Sequence, residues 1–514
     1  MSNQVRAAST TGRTADRLAD SVIFLLAMTI VQRLFGFLRG MLFCRWLEPA
    51  DLGQWDMALG FIELAAPLLM LGLPGSFGRF VEHYRERGQL KVFLRRTTGV
   101  TAIAVFGGIA AMLVLRESLS QAVFGTTGKS HLVVALAFGL VTVTVYNFAS
   151  TLLTAFRRSR VVSGLEFLNS LLFASAAIGL LAFWQTSAVS IVVAYAIACM
   201  ATATVSLLRL REIWRELPAI EVELTHRGLW ARLFPFALWV WGTNWLANMF
   251  EQVDRYMIIH AGNFSAEQAL AAVGNYHSSR VLPLLLVSVT GLLGTMLTPY
   301  LSHDWELGGR LAVSRRMNMT LKLLSICLML GATAILLTAP LLFASAFRGK
   351  FQSGLAVLPW TLTYCVWFGI ARVAQKYLWC AERVGLAAMA WLAGLLLNVG
   401  LNFLLLPRFG LSGVVWSTAA GNLTSLLFLY GINRALGMRF ERATWVLSAA
   451  PLLLAFGPWA ACCGCGLILL SAAATPWLFH SSEKQQLLDV GRDYQFRLRA
   501  WFGGRSRRKE FSGT

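Results

Sequence analysis

Apolar runs about twenty residues long recur along this chain, and they limit what it can fold into more than any motif does. A helix rises about 1.5 Å per residue, so such a run matches the roughly 30 Å hydrocarbon core of a bilayer. The runs fall near 20–44, 53–78, 97–115, 131–156, 161–184, 187–208, 232–252, 276–300, 322–344, 354–380, 385–406 and 411–433. A last run, 443–480, is too long for one helix, and Gly457 and Pro458 divide it into two short spans. The reading is an all-α polytopic membrane protein of about 14 transmembrane helices, twelve in the core plus two, each about twenty residues long. Twelve is the alternative if 443–480 is re-entrant or interfacial. Composition agrees: only 14% of residues are charged, against about 25% in soluble domains.

The formal net charge is +20, yet the basic residues do not gather in a soluble domain that would suit nucleic acid. Most lie in an N-terminal arm (1–19), in the connections 79–96, 157–160, 209–232, 301–322 and 434–442, and in a tail (481–514). The positive-inside rule places all of these, and so both termini, in the cytoplasm. Arg6, Arg13 and Arg17 precede the first run without a cleavable-signal pattern. The mixed charges of 209–231 suit an amphipathic linker between an N-lobe (20–208, spans 1–6) and a C-lobe (232–434, spans 7–12), with 443–480 as spans 13 and 14. The largest outer connection, around 254–275, is too short for a soluble domain. There is no GxxxxGK[ST] stretch to hold a nucleotide. Cys462, Cys463 and Cys465 crowd together inside an apolar run with no nearby histidine, which suits packing rather than a metal.

A weak repeat supports two halves. LGQWDMALGF (52–61) follows the first span and VGNYHSSRVL (273–282) follows the seventh, 221 residues later. Each reads aliphatic, Gly, amide, aromatic. An even number of spans separates them, so the halves run in the same direction about a pseudo-twofold axis along the membrane normal, with the site between them.

Ionisable residues within the spans are candidate site residues. An arginine at the bilayer centre costs about 2.5–3.5 kcal/mol on insertion scales, so it marks a polar cavity. Arg33, Arg39, Arg280 and Arg372 are such residues, and a guanidinium fork binds phosphate oxygens in pairs. Lys376 lies near a span end and suits snorkelling. Glu63 and Glu166 are the span acids and the candidates for ion coupling. Trp239, Trp241 and Trp245 lie in the seventh span with Asn244 and Asn248. Trp241 and Asn244 are the candidates for sugar contact, with lipid contact the competing role for the indoles. Asn398 and Asn402, one turn apart, suit an interhelical hydrogen bond. Pro67, Pro235, Pro283 and Pro359 mark kinks that could serve alternating access, although Pro235 also suits a first helical turn. No catalytic residue, metal site or cofactor is expected.

Several stretches carry a family resemblance. They are Arg33 and Gly36 ahead of LEPADLGQW (47–55), LMLGLPGSFGRFV (69–81), VDRYMI (253–258) followed by VGNY, and LLNVGLNFLLLPRFGLSGVVWSTAAGN (396–422). In this order and spacing they resemble the polysaccharide-transport flippases of the multidrug/oligosaccharidyl-lipid/polysaccharide exporter superfamily, over roughly 20–435. The resemblance implies two six-helix lobes forming a V around a cationic cavity. It implies a flippase moving an undecaprenyl-pyrophosphate-linked oligosaccharide from the cytoplasmic to the outer leaflet of a bacterial plasma (inner) membrane, for surface or exopolysaccharide assembly. The implied partners are that substrate, membrane lipid, a polysaccharide polymerase and other assembly proteins. Spans 13 and 14 would form a lipid-tail groove, as in the lipid II flippases. The alternatives are a lipid II flippase, sharing the arginine cavity, and a drug or cation antiporter, needing an acidic one. A polymerase or ligase would need longer outer loops, so a transporter is expected rather than an enzyme.

The charge asymmetry is directly testable. Reporter fusions after Arg96, Arg160 and Arg316 should read cytoplasmic, and fusions near Lys129 and Asn263 should read external. An external signal after Arg160 would break this topology.

Overall fold

Every long apolar run became helix, because lipid leaves a backbone no partners except its own. The computed structural model describes residues 28–217, 224–480, 483–485 and 492. The N-terminal arm, the start of the first span, residues 218–223 of the linker and nearly all of the 481–514 tail lie outside the described residues. In order come α1 (28–46), α2 (Pro49–Leu69), α3 (Phe77–Glu86), α4 (Leu90–Val114), α5 (Arg116–Phe124), α6 (Ser130–Ala155), α7 (Ser159–Phe183), α8 (Ala188–Glu216), α9 (His226–Ala261) and α10 (Ala266–Val281). Then follow α11 (Pro283–Glu306), α12 (Arg310–Ser345), α13 (Gln352–Ala374), α14 (Lys376–Cys380), α15 (Val384–Phe409), α16 (Leu411–Ala435), α17 (Arg442–Ala449), α18 (Leu452–Ala455) and α19 (Pro458–Ala474). Among the described residues, eight helices are long and apolar enough to cross a bilayer, nine if the bent pair α2–α3 counts as one span.

Several boundaries differ from the sequence reading. The second span is not one helix over 53–78. It breaks after Leu69, where Leu71 and Gly72 take positive φ of 51° and 66° and Pro74 opens a 3-10 turn, Leu73–Ser76. Beyond the break the chain turns by 62° into α3. The supposed outer loop 254–275 is mostly helix: α9 runs on to Ala261, and α10 starts at Ala266 behind a capping box formed by Ser265 and Gln268. The charges Asp254, Arg255 and Glu267 disguised these turns as loop. Pro235 lies well inside α9, which begins at His226, so it is not a first-turn proline.

The last run divides at Gly457 and Pro458 as expected, and both pieces are short for spans. Seventeen residues of α19 reach about 26 Å at 1.5 Å per residue. The hairpin packs on α12 and α13. Its anchor is Lys322 of α12, fully buried, whose ammonium donates to Glu441 at 2.8 Å, Glu483 at 2.8 Å and the Leu478 carbonyl at 3.2 Å. A buried ammonium survives only with such compensation. Cys465 packs against the Thr333 hydroxyl of α12 at 3.2 Å.

Helices α2, α4 and α6–α8 build one lobe, and α10–α13, α15 and α16 the other. Helix α9 packs on both. Its Leu229, Leu233 and Ala237 join Leu73, Phe77 and Phe80 in one apolar cluster, while farther along it contacts α15. The lobes also meet where α2 crosses α10. A Cβ on Gly53 would strike the Leu270 carbonyl, and a Cβ on Gly274 would strike the Pro49 carbonyl. These are the glycines of the two repeat copies, each facing the residue four before the other. The two copies of the repeat therefore pack directly against each other.

Substituting Gly53 or Gly274 by Leu sets a side chain against backbone, which no rotamer change relieves. Either variant should lose at least about 1–3 kcal/mol of stability, read as an earlier melting transition in detergent. Gly400→Ala in α15, where a Cβ meets nothing within 4 Å, should be neutral or stabilising. Equal melting of all three would refute the crossing.

Candidate translocation site

Two cavities open between the lobes and share Arg33, Leu284 and Ser288. The N-lobe cavity, about 470 Å³, is lined by Arg33, Arg39, Glu63, Glu166, Asn169 and Tyr195 among others. The C-lobe cavity, about 270 Å³, is lined by Arg33, Glu251, Asp254, Arg280, Tyr364 and Arg372 among others. A third, about 340 Å³, shares Glu251, Phe368 and Arg372 with the second and extends to Asn244, Gln375 and Trp391.

All four candidate arginines therefore line connected space. None of them forms an ion pair among the described residues. Three lie over aromatic rings instead: Arg39 over Phe173 at 4.1 Å, Arg280 over Tyr276 at 5.4 Å and Arg372 over Phe368 at 5.6 Å. A ring face steadies a guanidinium without neutralising it. Arg280 is 8% exposed, and its Nε and Nη1 are buried with no hydrogen-bond partner. A buried donor left unmade costs about 1–3 kcal/mol, more when charged, so this fork is poised for an acceptor.

Glu63 and Glu166 face the N-lobe cavity, and Asn244 the third. Trp241 is absent from the walls of these three cavities. It stacks on Trp245 at 5.9 Å and packs over Gly72 at the lobe contact. Trp239 is two-thirds exposed on the outer surface. Lys376 lies over the Trp379 ring at 3.7 Å.

The cavity is not purely cationic, as the resemblance implied. Glu63, Glu166, Glu251 and Asp254 line it beside the four arginines. Asp254 escaped the sequence reading because the seventh span was ended at 252, and Glu251, inside that span, was passed over.

Two buried networks sit beside the cavity. In the first, Asp56 of α2 accepts from Arg255 Nε of α9 and from His277 Nδ1 of α10 at 2.7 Å. Arg255 also donates to Gln252, and Gln252 donates to Glu63. Gly60 leaves room for Gln252, since a Cβ there would meet its amide. This network ties both lobes across the α2–α10 crossing. In the second, Asp254 is 2% exposed and accepts from Asn398 and Asn402 at 3.0 Å each and from the Tyr276 hydroxyl at 2.8 Å. The Thr418 hydroxyl lies 2.7 Å away. Asn398 and Asn402 thus make the interhelical bonds expected of them, to an acid not foreseen. No three His, Cys, Asp or Glu side chains gather as a metal group among the described residues.

Helices packed around a charged cavity define a polytopic membrane protein with a transporter-like fold. The chain belongs to the polysaccharide biosynthesis protein family, whose model matches residues 18–305, more than half of its length. Among solved structures it is similar to the lipid II flippase MurJ in an inward closed conformation, with a TM-score of 0.65 and 11% identity, covering 87% of this chain and 98% of that one. It is also similar to an inward-facing multidrug resistance MATE family transporter of the MOP superfamily, with a TM-score of 0.60 and 16% identity, covering 81% and 96%. At these identities the likeness shows the fold. No curated protein matches the chain.

Asp56→Ala would leave Arg255 buried without its carboxylate, and breaking a buried pair costs about 3–5 kcal/mol. The variant should melt well below the native protein, and the double variant Asp56→Ala/Arg255→Met should recover part of the loss. An unchanged melting temperature for the single variant would remove the pair from the lobe contact.

Proposed function

We propose that the protein is a flippase that moves a polyprenyl-pyrophosphate-linked oligosaccharide from the cytoplasmic to the outer leaflet of a bacterial inner membrane. The observation that carries this is the Arg280 fork, buried in the cavity wall with two nitrogens unpartnered, beside three further arginines without ion pairs. A pyrophosphate supplies what they lack: charge and paired oxygens on a small centre. Arg33 lines both the N-lobe and the C-lobe cavity, so it can hand the phosphate from one lobe to the other. The amides of Asn244 and Gln375 and the Trp391 indole give the third cavity the groups a sugar would use. Family membership supports polysaccharide assembly as the purpose, with a polymerase acting on the delivered product. A lipid II substrate is the second reading, since its pyrophosphate would use the same arginines.

The lining acids serve coupling in this reading rather than cation cargo. Glu63 is joined through Gln252 to the Arg255–Asp56–His277 contact between lobes, so a proton or cation at Glu63 would be felt where the lobes meet. Glu166, in the same cavity, is the other candidate ion site.

The test is flipping of a labelled polyprenyl-pyrophosphate-linked oligosaccharide in proteoliposomes, with and without an imposed ion gradient. Arg33→Ala and Arg280→Ala should slow flipping at least tenfold, which corresponds to about 1.4 kcal/mol. Arg33→Lys should recover it only in part. Glu63→Gln should lose the response to the gradient. Full-rate flipping by both alanine variants would overturn the site, and preference for lipid II would decide for the second reading. A normal gradient response in Glu63→Gln would move coupling to another acid.

A further inference from the structure

Away from the lobe contact, α4 and α8 both pack on α6, and a groove of about 800 Å³ lies between them. It shares no lining residue with the three cavities of the translocation site. Its walls are apolar, with Val105 and Ile109 from α4, Val145 and Phe148 from α6, and Leu207 and Leu210 from α8. Helix α4 is the least buried of the candidate spans, at 22%, so this side of it lacks a protein neighbour.

One end of the groove is different. Arg95 of α4 and Arg211 of α8 line it there, both exposed, and neither has an ion pair or hydrogen bond among the described residues. Trp214 stands beside them, 42% exposed. Tryptophan and arginine at one level mark the interface between hydrocarbon and headgroups. This end belongs to the face that carries 79–96 and 209–217, the face the charge asymmetry assigns to the cytoplasm.

The depth fits one leaflet. From Arg95 to Ile109, α4 rises about 21 Å at 1.5 Å per residue. Half of a bilayer measured with its headgroups is about 20–22 Å. Two unpaired guanidinium groups above an apolar slot of that depth complement an anionic head above acyl chains.

We propose that this groove binds one anionic phospholipid of the cytoplasmic leaflet, its phosphate on Arg95 and Arg211 and its chains between α4, α6 and α8. The lipid supplies the packing that α4 lacks. A longer prenyl chain would overrun a slot one leaflet deep, which favours the diacyl lipid.

The test uses the full chain, delipidated in detergent, with native mass spectrometry counting bound lipid. The probes are dioleoyl phosphatidylglycerol, dioleoyl phosphatidylcholine and undecaprenyl phosphate. Phosphatidylglycerol should be retained at least tenfold better than phosphatidylcholine. Arg95→Gln/Arg211→Gln should reduce it to the phosphatidylcholine level, while Arg158→Gln, an exposed arginine outside the groove, should change nothing. Gly99 lines the groove, and a Cβ there meets nothing within 4 Å. Gly99→Phe should therefore fill the slot and lower retention of both phospholipids with the arginines intact. Equal retention of the two phospholipids by the native protein would overturn the proposal, as would undiminished phosphatidylglycerol binding in both groove variants. Tighter binding of undecaprenyl phosphate would give the groove to a prenyl chain instead.

Discussion

The contact between α2 and α10 holds the rest of the protein in place. Between helices in lipid there is little hydrophobic drive, so association rests on close backbone approach and on polar bonds. Gly53 and Gly274 provide the first, and Asp56 with His277 and Arg255 the second. Cavities lie beside this crossing, and α9 closes against Leu73, Phe77 and Phe80 toward the basic face.

The buried charges divide by how they are compensated. Lys322 has two carboxylates and a carbonyl, and Asp56 has a guanidinium and an imidazole. These are closed arrangements, and removing one partner costs more than the pair contributes. Asp254 accepts from four neutral donors, whereas Arg280 keeps two nitrogens without partners. An open arrangement such as that of Arg280 is costly in a low-dielectric interior. It persists where a ligand completes it, and both residues line the same cavity.

The broken second span shows how local backbone chemistry feeds the lobe arrangement. Gly72 takes a φ that suits glycine, and its missing Cβ admits the Ala237 carbonyl and the Trp241 side chain of α9. One residue thus turns the chain by 62° and seats the helix that joins the lobes. Trp241, a candidate for sugar stacking when read in sequence, is occupied in this contact.

Much of this was legible in the sequence. Apolar runs of membrane length fixed the all-helical class, because the bilayer demands internally bonded backbone whatever the packing. The arginines in mid-span announced a polar cavity, because charge in hydrocarbon needs a reason. Even the four-residue likeness of LGQW to VGNY picked out two stretches that pack against each other. The last turns of α9, with Asp254 and Arg255, were hidden, because charged residues read as loop until a partner from another helix is known. Asp56 and Asn398 each look like an isolated polar residue in one dimension. Only the tertiary structure brings residues 221 and 144 positions apart into one hydrogen bond. The sequence determined which segments enter the membrane, since that depends on each segment's own transfer into lipid. The fold decided which charges are sealed and which stay open, since that depends on what the other lobe sets against them.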